Sequence, residues 1–217
     1  MATRKYGTCF FEQYAQISLA ALLGPEYDRL VNRDRPDLQS EGDRSIGIEV
    51  TRAMPESKEA HEELLKEVAG ISDTPEDDEL GQILESGYAY GLREDGLIGS
   101  KELPYWSMAL PLRRIIRSKV YKVGNGFYGT FDKMGLYVFC KDPIGEAEAL
   151  KTMRYTAHLQ QKQEIRYDRL YLSEPRSLFV CDLDAAGTEA ALQIHPVTRE
   201  QRKSFYLEAV RRQIEIL

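Results

Sequence analysis

The chain is poor in the residues that most often declare a chemistry. Tryptophan occurs once and histidine three times, and the three cysteines, Cys9, Cys140 and Cys181, stand far apart in apolar surroundings with no CxxC pair. Neither a disulfide framework nor a zinc site is expected, and the cysteines read as reduced, buried thiols of a reducing compartment. The longest apolar run near the N-terminus, Ile17 to Leu23, is too short for a membrane span or a signal-peptide core. A cytoplasmic protein with no membrane partner is the expectation. Internal repeats and low-complexity tracts are missing too, which argues against solenoid and fibrous architectures. A net charge of −6 excludes a generally basic coat for nucleic acid but leaves room for a local basic patch.

What is present is an ordinary globular mixture, 42% hydrophobic and 29% charged over 217 residues, enough to bury a core in one large domain. A first helix is expected from Cys9 to Leu23, apolar through Phe10, Phe11, Tyr14, Ile17, Leu19, Leu22 and Leu23 and stopped by Gly24-Pro25. Glu12 is its one carboxylate, either a partly exposed surface group or a ligand. Tyr27 to Val31 suggests a short strand. Helices follow from Pro55 to Ala69 and from Thr74 to Gly87, with an irregular segment from Tyr88 to Tyr105, so that residues 71–106 read as a helical and loop insertion.

Ser107 to Val123 predicts a helix with Pro111 in its first turn and an apolar stripe of Leu112, Ile115, Ile116, Val120 and Val123. Arg113, Arg114, Arg117, Lys119 and Lys122 cover much of the remainder, as cations for a phosphate backbone or as an exposed basic face. Gly124-Asn125-Gly126 ends it. Gly135 to Cys140 reads as a strand buried on both faces, Ile144 to Glu164 as largely helical, and Arg169 to Leu172 and Ser177 to Leu183 as strands. Thr198 opens a last helix with Gln201 at the capping-box position and Phe205, Leu207, Val210 and Ile214 inward. His61 and His158 fall on polar helices, and His195 falls in a loop before Pro196. Gln160, Gln161 and Gln163 read as a polar helix end in preference to base readers. The order of elements predicts an α/β fold, a mixed central sheet covered by helices.

The stretch from Arg35 to Arg52 carries the most chemistry. Asp37 and Glu49 lie six residues either side of Asp43, so a hairpin folded at the turn-prone run Ser40 to Ser45 would set them opposite each other. Ile46, Ile48 and Val50 would face the core, with Glu49 and Thr51 sharing the other face. Two carboxylates held so close repel, and one protonates near neutral pH unless a cation sits between them. Oxygen ligands alone suit Mg²⁺ or Mn²⁺. An ordinary solvent-facing hairpin with an acidic polar face is the competing account.

A helix carrying Glu12, then Pro36-Asp37 in a short strand, then Glu49-Val50-Thr51 near the end of an apolar strand that feeds a helix resembles the PD-(D/E)XK nuclease superfamily. The resemblance covers roughly Cys9 to Cys140 and implies a restriction-endonuclease-like domain over 1–217, a Mg²⁺-dependent endonuclease hydrolysing phosphodiester bonds in nucleic acid, DNA ahead of RNA. In it Asp37 and Glu49 bind Mg²⁺ (or Mn²⁺), Glu12 assists as a third carboxylate, and Arg113, Arg114, Arg117 and Lys122 meet the nucleic acid. The family's lysine falls at Thr51, which carries no positive charge. Either Lys119 or Lys122 reaches the site instead, or the fold persists without catalysis as a nucleic-acid-binding module. A protein-interaction module working through the acidic run from Glu56 to Glu85 is the remaining alternative.

Overall fold

The apolar runs assemble into one mixed sheet. The computed structural model describes residues 9–42, 44–53, 92–93, 96–97, 103–141 and 143–215. The helices expected at Pro55 to Ala69 and Thr74 to Gly87, most of the 71–106 insertion, and the acidic run from Glu56 to Glu85 lie outside the described residues. In chain order the elements are α1 (Cys9–Leu23), a 3₁₀ turn (Pro25–Arg29), β1 (Leu30–Asn32), β2 (Leu38–Ser40), β3 (Ile46–Ala53), β4 (Leu92–Arg93), β5 (Gly96–Leu97), α2 (Leu103–Gly124), β6 (Lys133–Cys140), α3 (Glu146–Gln160), β7 (Arg169–Ser173), β8 (Ser177–Asp182), β9 (Leu192–Pro196) and α4 (Arg199–Glu215). Seven strands are ordered β1-β2-β3-β6-β7-β8-β9, while β4 and β5 pair separately as a two-stranded ladder. β3, β6 and β7 run parallel, and the two hairpin edges are antiparallel.

Period-two alternation divides the core between the two faces. Ile48, Tyr137, Phe139, Tyr171, Leu178 and Val180 pack with Phe10, Phe11, Tyr14, Phe205 and Ala209 of α1 and α4. Leu136, Val138, Leu170, Leu172 and Cys181 pack with Leu112, Ile116, Val120 and Val123 of α2 and with Ala149 and Met153 of α3. The first face is aromatic. Phe11 and Tyr14 both meet Phe139, at centroid separations of 5.2 and 5.6 Å, so Phe139→Ala would cost about 3–5 kcal/mol.

Buried polar groups on this scaffold are tied to backbone. Gln16 donates to the carbonyls of Asp28 and Leu30, fixing α1 against the edge strand. Gln160 donates to the Tyr167 carbonyl and accepts from the Tyr167 N–H, so it is a structural clasp, consistent with a helix end and not with base reading. The capping box forms as the residues predict: the Thr198 N–H donates to Gln201 Oε1 and the Gln201 N–H to Thr198 Oγ1. At the end of α2, Phe127 N–H returns to the Lys122 carbonyl and Gly126 N–H to that of Val123, a Schellman motif with Gly126 at φ 69°.

Four expectations need correction. Tyr27 belongs to a 3₁₀ turn and the strand begins at Leu30, because Pro25 fixes the φ that starts a tight helical turn. α2 begins at Leu103, which places Pro111 in its interior and not in its first turn. His195 lies in edge strand β9 opposite Leu178, not in a loop. Leu207 is exposed, because α4 meets α1 through Phe205 and Ala209, one helical turn apart. Among the described residues no helix is long and apolar enough to cross a membrane.

Candidate functional site

The β2–β3 hairpin pairs Leu38 with Ile48 and Gln39 with Gly47. One step further in this register, Asp37 faces Glu49, as folding about Asp43 predicts. The Val50 N–H donates to Asp37 Oδ2 at 2.7 Å, and the Arg33 N–H to the Asp37 carbonyl at 2.9 Å. The first bond holds Asp37 against β3, and the second closes the connection between β1 and β2.

Glu49 is paired with Leu136 and so points to the face covered by α2 and α3. Two residues earlier on that face, Gly47 makes room for the Phe131 ring; a Cβ there would stand 2.7 Å from it. From α2, Lys119 Nζ reaches Glu49 Oε1 at 2.5 Å, with side chains 15% and 9% exposed. The cation beside Glu49 therefore comes from the neighbouring helix, while Thr51 on the same strand carries none. Lys122, three residues on, turns away and lies 5.3 Å from the Phe127 ring centroid.

Glu12 is buried on α1, not partly exposed, and its carboxylate accepts from Asn32 Nδ2. Burial pushes its pKa up, opposed by that hydrogen bond, with Glu49 adding to the rise and Arg52 opposing it. Asp37 is pushed up to about 7, first by burial, then by Glu49 and more weakly by Glu12, against the Val50 hydrogen bond and Lys119. The hairpin thus carries more negative charge than it can comfortably hold.

Among the described residues no three histidine, cysteine or carboxylate side chains stand close enough to form a metal cage. Glu12, Asp37 and Glu49 are coupled electrostatically without forming a three-ligand set. Asp37 and Glu49 are the two carboxylates here that could offer oxygens to a hard divalent ion, with Lys119 already paired to one of them.

Of the basic residues on α2, Arg114 and Arg117 are exposed, and the Arg113 guanidinium lies 5.3 Å over the Tyr155 ring. Two further residues escaped sequence reasoning. Tyr128 is 4% exposed, and its hydroxyl lies beside Tyr167 and Glu49. Tyr167 donates to the Lys119 carbonyl at 3.4 Å. Burial raises both phenols, and Glu49 raises them further, so both remain protonated donors at neutral pH. No spacing in the sequence marks them, because only the folding of α2 over β3 brings them to the site.

No family model, curated protein or solved structure matches the chain.

Proposed function

We propose that this chain is a metal-dependent nuclease with a relocated lysine, hydrolysing phosphodiester bonds in DNA or RNA on a restriction-endonuclease-like variant of its mixed sheet. The observation that carries the reading is Lys119 on Glu49, beside an Asp37 whose carboxyl is driven up by burial and by Glu49. Asp37 and Glu49 would hold Mg²⁺ or Mn²⁺, which supplies Lewis-acid activation of the phosphate and of water. Lys119 has three N–H donors and spends one on Glu49, so it can also hold a phosphate oxygen. Tyr128, a buried phenol near Glu49, is a second donor for that oxygen. Asn32 fixes the Glu12 carboxylate at the hairpin's edge, where its charge adds to the field that favours a cation.

The alternative is the same fold binding nucleic acid without cleaving it. It is favoured by the missing three-ligand group among the described residues and by Thr51 in the motif's lysine position. Incubating labelled DNA and RNA with Mg²⁺ or Mn²⁺ separates the two. Cleavage by the wild type and its loss in Asp37→Ala support the nuclease. Unchanged cleavage in Asp37→Ala overturns the site, and salt-sensitive binding with no cleavage supports the silent module.

A further inference from the structure

The end of α2 presents something that cleavage chemistry alone does not require. Tyr121 is 70% exposed and Phe127 45% exposed, two large apolar side chains in solvent at the C-terminal end of a basic helix. Arg114, Arg117 and Tyr121 follow at i, i+3 and i+7 and are all exposed, so they share one helical stripe. The Schellman motif turns Phe127 back beside Lys122, whose ammonium lies 5.3 Å from its ring centroid. A second cation reaches the same ring from the connection between β1 and β2: the Arg35 guanidinium is 4.8 Å from that centroid. Arg35 has φ 67°, the left-handed region that a non-glycine residue seldom occupies without support from its surroundings.

Phe127 is linked to the candidate site in two ways. Its ring meets Tyr128 edge-on at 5.2 Å, and Tyr128 meets Tyr167, the donor to the Lys119 carbonyl. Arg35 is two residues from Asp37. Accessible aromatic rings among cations, next to a phosphate-directed site, match single-stranded nucleic acid, whose unpaired bases stack while its backbone is neutralised. A duplex keeps its bases stacked on one another and offers such rings nothing beyond phosphate charge.

Resting on the nuclease reading for its position beside the scissile phosphate, we propose that Phe127, Arg35, Lys122 and Tyr121 form a stacking platform, and that the substrate is single-stranded or locally unpaired DNA or RNA. An unpaired base stacks on the exposed ring and guanidinium surface, and the basic stripe of α2 tracks the adjoining phosphates.

The test is fluorescence anisotropy in EDTA with labelled single-stranded DNA, single-stranded RNA and duplex DNA of about 16 nucleotides. The wild type should bind at least one single strand about fivefold more tightly than duplex. Phe127→Ala should lose about fivefold or more on that strand with an unchanged salt slope, as expected for one lost stacking contact. Phe127→Trp should keep or improve the affinity, and Lys122→Gln should flatten the dependence of log Kd on log salt by about 0.7. Phe127→Trp and Lys122→Gln keep the test decisive if Phe127→Ala fails to fold. Equal affinity for single strands and duplex, wild-type affinity in Phe127→Ala, loss of affinity in Phe127→Trp, or no binding would each overturn the platform. The cleavage assay separates the two proposals. Cleavage without strand preference leaves the nuclease and removes the platform; Phe127-dependent strand selection without cleavage does the reverse.

Discussion

Two regions of this sheet bury carboxylates, and they differ in the sign of what surrounds them. At the β2–β3 hairpin, burial raises Asp37 and the next contribution, from Glu49, raises it again. At the β7–β8 turn, Glu174 is as buried as Glu49, yet after burial every neighbour named for it lowers its pKa: the Arg176 backbone, Ser177, and the charges of Arg176 and Arg202. Both are acids in low dielectric. Glu174 is a compensated group in a turn, its own N–H closing onto the Ser177 carbonyl at 3.0 Å. Asp37 is under-compensated: Glu49 and Glu12 add to the rise from burial, and the Val50 N–H and Lys119 only partly oppose it. Burial alone does not distinguish a site from a structural acid; the convergence of like charge does.

If that difference is functional, the sharpest break is chemical. Lys119→Ala should lower Mg²⁺-dependent cleavage by about 10²- to 10³-fold, the range for removing one donor to a developing oxyanion, while Glu174→Gln cleaves like the wild type. Equal losses in the two variants would erase the contrast between the regions.

The next test needs no substrate. The folded-state pKa of Asp37 is raised from 3.8 to about 7, so between those values the folded chain holds a proton that the unfolded chain has released. Raising the pH through this window therefore favours unfolding, with a slope approaching about 1.4 kcal/mol per pH unit, and the cost is complete above about pH 7. In EDTA, Asp37→Asn should flatten this decline and gain Tm over the wild type at pH 8 but not at pH 4. Parallel curves for the two proteins would show that Asp37 is not strained by its neighbours. Mg²⁺ should relieve the same strain. At a hundredfold excess over its Kd it should add about 2.7 kcal/mol at pH 8, less at pH 5, and little in Asp37→Asn with Glu49→Gln. Unchanged stabilisation in that double variant would place the ion elsewhere.

How far the site was legible follows from the range of each interaction. The Asp37–Glu49 opposition is local: turn residues around Ser40 to Ser45 and the alternation of Ile46, Ile48 and Val50 leave the hairpin one sensible register. The capping box at Thr198 and the stop at Gly126 are local as well. The lysine was legible only as a choice. Lys119 and Lys122 sit three residues apart on one helix, and only the rotation set by burying Leu112, Ile116, Val120 and Val123 turns Lys119 toward Glu49. Edge strand β9 escaped because its alternation, Leu192-Gln193-Ile194-His195, runs for only four residues before Pro196 and buries neither apolar side chain fully. Tyr128 escaped because nothing near it in sequence marks it; its partners come from β3 and from the Tyr167 loop.

The smallest effect tests the other side of the comparison. Glu174 Oε2 is buried without a hydrogen-bond partner among the described residues, so its charge is desolvated, but cations and the Arg176 backbone offset that cost. Glu174→Gln removes the desolvation together with the attraction, and the two changes oppose each other. The net effect on stability at pH 7 should lie within about 1 kcal/mol, as expected where a buried charge and its compensation are lost together. The residual pH dependence has the same sign as that of Asp37, because the Glu174 pKa is also raised, and should be shallower because its neighbours oppose the rise. A loss of several kcal/mol in Glu174→Gln would mean that this carboxylate too is held in place by a network. The sign of the nearest charges would then no longer separate the structural acid from the site.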